Sequence, residues 1–518
     1  MPRLAGPAVR LALSLALSLA ACALSAPAVA DSAEDPSCPR LAPIPGRGVF
    51  RDVCTGRQII VHGVNAVRKA APWLPSAGAF QAQYSLGPED AEILQSWGMN
   101  GVRLGVMWPG AMPQPGVIDA GYVQRAVELT GILSNRSIFT LLDAHQDLLS
   151  SKFCGEGAPD WAVEQISTGP DAFPAPISAP FKLNASGHPA KADCDRFPWA
   201  DFQLTVASAR AYQALYKDHN ATAARFAQFW SAVVKAFRDA PHIIGAELLN
   251  EPFAGAVFDD PLLLLPGVAD RENLQPFYSA LGSAVVAADP RMPVFFESVT
   301  WDDFVPVGFN TTPTADPAKS GLSFHYYDLP SFNADLQVAS RLDDARRLGV
   351  GAFLTEFNIG DGAMKPGSLN ETLAVADAHT MSWLGWEYKP MVEITGWGWG
   401  PIFPNGTRND AEVSLLARPY PQAVCGNVTS YAFDDATRVF TMAFAPAAGC
   451  DTEVYLNCQL HFPGCSPTVT VSTPDAVASR VEPAPAPVST RATQFATLRL
   501  SLRPGATPPA ETTVTMSP

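Results

Sequence analysis

Two textures alternate along most of the chain. Short apolar runs that close on a polar side chain are separated by stretches in which apolar residues recur at helical spacing. Residues 56–65 (GRQIIVHGVN) alternate and are β-branched, which predicts a first strand. Residues 88–98 carry Glu89 and Asp90 in a first turn, Ile93, Leu94 and Trp97 along one face, and Gly98 as a stop, which predicts a helix. The beat repeats. Further strands are expected at 98–108, 137–147, 243–250, 293–301, 321–328, 351–358 and 381–389, and helices near 122–133, 222–238, 272–288, 334–348 and 369–378. Eight strands, mostly separated by helices, are what an α/β fold of the (β/α)8 TIM barrel type requires. The alternative is a doubly wound open sheet. No G-x-G-x-x-G follows the first strand, so a nucleotide site is unsupported and no cofactor is expected.

Past Pro419 the pattern changes to short alternating strands with turn signals, such as TSYAFDDATRVFTMAFAP and TLRLSL. Residues 31–419 therefore read as the catalytic barrel with an N-terminal lead-in, and 420–505 as a small antiparallel β-sandwich. With no clear aromatic platform, the sandwich reads as a structural buttress rather than a carbohydrate-binding or lipid-facing module. Residues 506–518 (ATPPAETTVTMSP) read as a loose tail without the apolar run of a GPI signal.

Composition narrows the picture. The chain has 518 residues, 47% hydrophobic and 16% charged, with a net charge of -15 and no long basic run, so nucleic acid is an unsuitable partner and a neutral substrate fits better. Residues 1–30 combine Arg3 and Arg10 with the run LALSLALSLAACAL and a small-residue Ala28-Val29-Ala30 site, the pattern of a secretory signal peptide. Leu19-Ala20-Ala21-Cys22 offers a minority reading, a lipid anchor through Cys22. Sequons at Asn135, Asn184, Asn220, Asn310, Asn370, Asn405 and Asn427 fit a secretory route. Setting Cys22 aside leaves eight of the nine cysteines, an even count that implies disulfides in an exported chain. Pairing neighbours gives Cys38 with Cys54, Cys154 with Cys194, Cys425 with Cys450, and Cys458 with Cys465, one of about 105 connectivities. There is no C-x-x-C pair to suggest zinc, and no metal is expected.

The chemistry sits at strand ends. IIGAELLNEPF (243–253) and GAFLTEFN (351–358) each deliver a glutamate at the carboxyl end of an apolar run, and a carboxylate costs too much free energy to bury there without a use. Glu251 and Glu356 together suit glycoside hydrolysis, one as acid/base and one as nucleophile. Other polar residues fall at the same mouth: Asn65, Arg103, Asp143, His145, Asp147, Asn250, His325, Tyr327, Trp386 and Lys389. Arg103 within GVRLGV needs an anionic partner in a barrel wall. Trp397 and Trp399 in GWGWGP either line the mouth or lie beneath it. Leu262 to Leu265, in the loop after the fourth strand, read as an apolar lip for acyl chains or a bilayer, or else as a loop anchor.

At L-N-E-P (Leu249 to Pro252), H-Y-Y (His325 to Tyr327), L-T-E-F (Leu354 to Phe357) and W-x-G-W-E-Y-K (Trp383 to Lys389) the chain resembles glycoside hydrolase family 5. D-A-H-Q-D (Asp143 to Asp147) and P-L-L-L-L-P-G-V-A-D-R (Pro261 to Arg271) are most similar to its endoglycoceramidase branch. The resemblance implies that Glu251 is the acid/base, Asn250 a donor to the sugar 2-hydroxyl and Glu356 the nucleophile. It implies that His325 and Tyr327 orient these groups, that Arg103 keeps the nucleophile ionised, and that Trp386 forms a sugar platform. Lys69, His145 and Asp147 match positions that bind glucose in that branch. The expected substrate is a glycosphingolipid, cut between glycan and ceramide at a membrane or micelle surface. Competing readings are a β-glucosidase or endoglucanase acting on sterol glucosides or soluble β-glucans, and an inactive glycolipid-binding barrel.

Overall fold

The first strands among the described residues do not enter the barrel. In the computed structural model, which describes residues 38–163, 167–300, 305–327, 333–360, 367–392 and 398–518, strands β1 (Leu41–Pro43), β2 (Phe50–Asp52) and β3 (Gln58–Ile59) pair antiparallel. The signal peptide, Cys22 and Trp397 lie outside the described residues. The run 56–65 is thus divided between two sheets rather than forming one strand. Ile60 packs into the core of the C-terminal region and Val61 into the floor of the barrel, so one unbroken apolar stretch serves two cores.

The barrel strands follow: β4 (His62–Ala66), β5 (Gly101–Gly105), β6 (Phe139–Asp143), β7 (Ile243–Glu247), β8 (Val294–Phe296), β9 (Ser320–Tyr326), β10 (Gly351–Phe357) and β11 (Trp383–Gly385). They pair in parallel in sequence order, and β11 closes on β4, giving an eight-stranded closed barrel. Val61, Phe139, Leu141, Ile244, Phe295, Phe353 and Leu384 plug its amino-terminal end. Close approach of the first strands requires glycine: a β-carbon on Gly63 would lie 2.0 Å from the carbonyl oxygen of Gly101. With the floor sealed by apolar side chains, polar residues are confined to the carboxyl mouth.

Between β6 and the helix Thr222–Ala236 the chain makes a long excursion, held by the Cys154–Cys194 disulfide and ending in a helix, Val206–Tyr216, that the hydropathy pattern did not single out. The other disulfides join Cys38 to Cys54, Cys425 to Cys450 and Cys458 to Cys465, so neighbours pair throughout.

The remaining strands are β12 (Tyr420–Val424), β13 (Gly426–Asp434), β14 (Val439–Pro446), β15 (Thr452–Asn457), β16 (Thr468–Val471), β17 (Val477–Pro483), β18 (Phe495–Leu502) and β19 (Thr512–Ser517). They form two antiparallel sheets around one core, ordered β1-β2-β3-β12-β15-β18-β17 and β13-β14-β19-β16. Two expectations are corrected. The lead-in completes the larger sheet through β1 to β3, and the end of the chain is no loose tail. β19 runs between β14 and β16, with Val514 and Met516 buried in the sandwich core and threonines alternating between them. The sandwich grips the barrel: the Tyr420 and Tyr455 hydroxyls donate to the carbonyls of Gly98 (2.6 Å) and Ser96 (2.7 Å), and His62 of β4 stacks on Tyr420 at 3.6 Å. Among the described residues, no helix is long and apolar enough to cross a membrane.

Candidate active site

Arg103 on β5 organises the mouth. Its guanidinium is fully buried, and a lone buried cation is costly, so carboxylates from several strands surround it. It pairs with Glu247 of β7, with Asp143 of β6 at 3.1 Å and with Glu356 of β10 at 3.0 Å, while Glu297, just past β8, stands 3.7 Å away. It also donates to the side-chain oxygens of Asn65 (3.0 Å) and Asn250 (2.7 Å). Planar, with five donors, arginine suits such a hub where lysine would not.

Glu356 has both carboxylate oxygens occupied, one by Arg103 and the other by the Tyr327 hydroxyl, which donates over 2.5 Å. Glu251, beyond the end of β7, has Oε1 2.8 Å from Nδ1 of His325, and that nitrogen lies 3.9 Å from Glu356. One oxygen of Glu251, one ring nitrogen of His325 and one oxygen of Glu356 all fall within 4.8 Å of one another. Burial alone would lower the His325 pKa, but Glu297 and Glu356, with hydrogen bonds to Glu251 and Glu297, carry it well above the usual imidazole value. The Asn250 amide donates to the carbonyl of Gln146 (2.8 Å), and Gln146 in turn donates to the carbonyls of Asn250 (2.6 Å) and Glu251 (3.0 Å). Glu251 and Glu356 therefore face each other across one crevice, close enough to act on one atom.

A second group lines the same mouth. Lys69 is paired with Asp147, stands 3.4 Å from Glu156, and lies 4.6 Å from the Trp386 ring centre. His145 stacks on Trp386 at 5.1 Å and holds Asp143 through Nδ1 at 2.8 Å, leaving Nε2 3.8 Å from Asp147. Burial would lower the His145 pKa, yet Asp143 and then Asp147 bring it up to about 9. Burial would raise Asp147, but Lys69 and His145 hold it well below the ordinary carboxylate range. Glu156, with Lys69 opposing, is still pushed by burial up to about 8. Donors, acceptors and an aromatic face in one recess suit a sugar ring. His145, Asp147 and Glu156 are spaced as metal ligands can be, but the Lys69 ammonium already supplies the positive charge among them.

Every residue to which the family resemblance assigns a catalytic, sugar-binding or supporting role lies in these two groups. Lys389, at the end of the eighth strand, instead pairs with buried Asp90 and donates to Ser85 Oγ at 2.9 Å. Trp399 is about half exposed, at 49%. Sequence reasoning missed Glu247, Glu297, Gln146 and Glu156. A glutamate in or just after an apolar strand, the signal that found Glu251, was present for Glu247 in IIGAE and for Glu297 in VFFE; nothing local marks Glu156, which reaches the mouth from the long excursion.

Comparison with known proteins supplies the family. Residues 88–392 match the family described as Cellulase (glycosyl hydrolase family 5), and residues 418–502 match the glycoside hydrolase family 5 C-terminal domain. A curated relative from Hydra vulgaris, named Endoglycoceramidase, is 40% identical over 423 residues, spanning 79% of each chain. One from Cyanea nozakii, also named Endoglycoceramidase, is 38% identical over 418 residues, spanning 79% of this chain and 82% of that one. The solved structure of Endo-glycoceramidase II from Rhodococcus sp. in complex with a five-membered iminocyclitol shares the fold, with a TM-score of 0.67 at 23% identity over 90% of this chain and 98% of that one. A closed parallel barrel with two facing glutamates at its mouth, matched over most of its length by such relatives, belongs to glycoside hydrolase family 5, and the chain is a glycoside hydrolase of that family.

Proposed function

We propose that this chain is a secreted endoglycoceramidase, a retaining hydrolase that cuts the β-glycosidic bond between glycan and ceramide in glycosphingolipids. The observation that carries the reading is the facing of Glu251 and Glu356, with oxygens within 4.8 Å, in a chain 40% identical to a protein named Endoglycoceramidase. Retaining glycosidases hold their two carboxyl groups about 5–5.5 Å apart, whereas inverting ones leave room for a water between them.

In this mechanism Glu356 attacks the anomeric carbon while Glu251 protonates the departing ceramide oxygen. Water, deprotonated by Glu251, then opens the glycosyl-enzyme, and the two inversions retain configuration. Arg103 and Tyr327, on the two oxygens of Glu356, hold the nucleophile in a fixed orientation. Asn250 stands beside Glu251 to meet the 2-hydroxyl. Lys69, His145, Asp147 and Trp386 form the recess for the sugar next to ceramide.

The apolar lip supports the lipid half of the substrate. Leu262, Leu264 and Leu265 are 62%, 53% and 53% exposed on a short helical turn, Pro261–Leu264, while Leu263 at 6% is the anchor that fastens it. Exposed leucines in the loop that follows Glu251 suit acyl chains in a micelle or bilayer. Four disulfides fit an exported protein.

Two experiments test the reading. A mechanism-based fluoro-sugar should label Glu356 covalently, and Glu356→Gln should abolish labelling. Incubation with glucosylceramide, lactosylceramide, a ganglioside and a sterol glucoside, followed by mass analysis, should release intact oligosaccharide from ganglioside. Release of glucose alone, or only from the sterol glucoside, would refute the assignment.

A further inference from the structure

One buried carboxylate at the mouth has no part in the mechanism above. Glu297 follows β8, and its two oxygens engage two different partners. Oε1 lies 3.1 Å from Nε2 of His325, and Oε2 accepts the backbone N–H of Glu251 at 3.1 Å. The other imidazole nitrogen of His325 is the one facing the Glu251 carboxylate at 2.8 Å. A closed loop results, in which Glu297 holds Glu251 by its backbone directly and by its side chain through His325.

The backbone of Glu251 needs such restraint. Its φ is 39°, in the left-handed region that residues bearing a β-carbon seldom occupy, and Gln146 grips the same peptide through the carbonyls of Asn250 and Glu251. A simpler role for Glu297 would be to neutralise Arg103. That guanidinium, however, already contacts Asp143, Glu247 and Glu356 within 3.1 Å, and Glu297 is the most distant carboxylate around it at 3.7 Å. Its close contacts are with His325 and the Glu251 peptide instead.

We propose that Glu297 is a positioning residue for the proton-transfer step, fixing the direction in which Glu251 presents its carboxyl to the departing oxygen. The proposal rests on Glu251 being the acid/base. The charged and titratable groups facing Glu297 are Glu247 on β7, Arg103 on β5, His325 on β9 and Tyr278 on the helix Gln275–Ala288. Burial, with Glu247 adding and His325 and Arg103 opposing, pushes Glu297 up to about 7.

The test exploits leaving groups. A dinitrophenyl β-glycoside departs without protonation, whereas a phenyl or alkyl glycoside of the same sugar needs it. Glu297→Ala should lower kcat/KM on the alkyl glycoside by about 100-fold or more, the scale of general-acid catalysis, and on the dinitrophenyl glycoside by under about tenfold. Fluoro-sugar labelling of Glu356 should continue. Glu297→Gln keeps the size and one acceptor for the Glu251 N–H, and should show the same split in smaller measure, which covers an alanine variant that fails to fold. Equal losses on both glycosides in a folded Gln variant, judged by its melting temperature, would overturn the proposal. Glu251→Ala serves as the reference. If it shows no leaving-group split, the acid/base assignment itself is wrong; if it splits and the Glu297 variants do not, only the role of Glu297 falls.

Discussion

The apolar lip offers the sharpest quantitative test, because the structure separates leucines that face outward from the one that faces in. Leu262, Leu264 and Leu265 are each more than half exposed, whereas Leu263 is buried at 6%. A substitution at Leu263 would loosen the turn and confuse stability with lipid contact. Leu262→Ser, Leu264→Ser and Leu265→Ser combined leave the anchor in place. Fully burying a leucine side chain contributes about 1.5–3 kcal/mol. Three side chains with 62%, 53% and 53% still to bury therefore offer about 2.5–5 kcal/mol on full immersion. Tenfold in affinity corresponds to about 1.4 kcal/mol, so even half of that immersion leaves roughly a tenfold effect. The assay is the apparent KM for a glycosphingolipid in mixed micelles, set against hydrolysis of a soluble aryl glycoside. KM on micelles should rise by about tenfold or more while the soluble reaction is unchanged. Equal changes on both, or none on micelles, would refute a lipid-facing lip.

Three further outcomes are expected. Arg103→Lys leaves part of the ring of Asp143, Glu247 and Glu356 unmatched in a buried site, and should cost about 3–5 kcal/mol in urea unfolding; a loss under about 1 kcal/mol would contradict the hub. His145 is raised from 6.5 to about 9 in the folded state, so its contribution to stability is complete below about pH 6.5 and disappears as pH rises through about 9. His145→Asn should flatten the unfolding free energy between pH 7 and 9, and an unchanged slope would place the titration elsewhere. The Cys154–Cys194 bridge spans 40 residues, a closure contributing up to about 4 kcal/mol to holding the excursion; Cys154→Ser with Cys194→Ser should expose it to limited proteolysis, and equal resistance would show that packing alone secures it.

The local sequence determined the barrel and most of its mouth. Strands buried on both faces read as continuous apolar runs, and a charged residue at the end of such a run has to be explained by use, which is how Glu251, Glu356 and Arg103 could be found. Alternation is equally legible in TTVTMS, yet nothing in the stretch itself names a partner strand, and only its pairing with β14 and β16 makes it an inner strand rather than a loose end. The tertiary structure decided what distance along the chain conceals. It divided 56–65 between two sheets, because an apolar run carries no mark of where one core passes to the next. It brought Glu156 to Lys69 from a stapled excursion, and set Leu263 inward among outward neighbours. It also turned Glu297 from one more strand-end acid into a brace on Glu251, since which carboxylate meets which imidazole depends on the closure of the barrel and on no spacing that the chain displays.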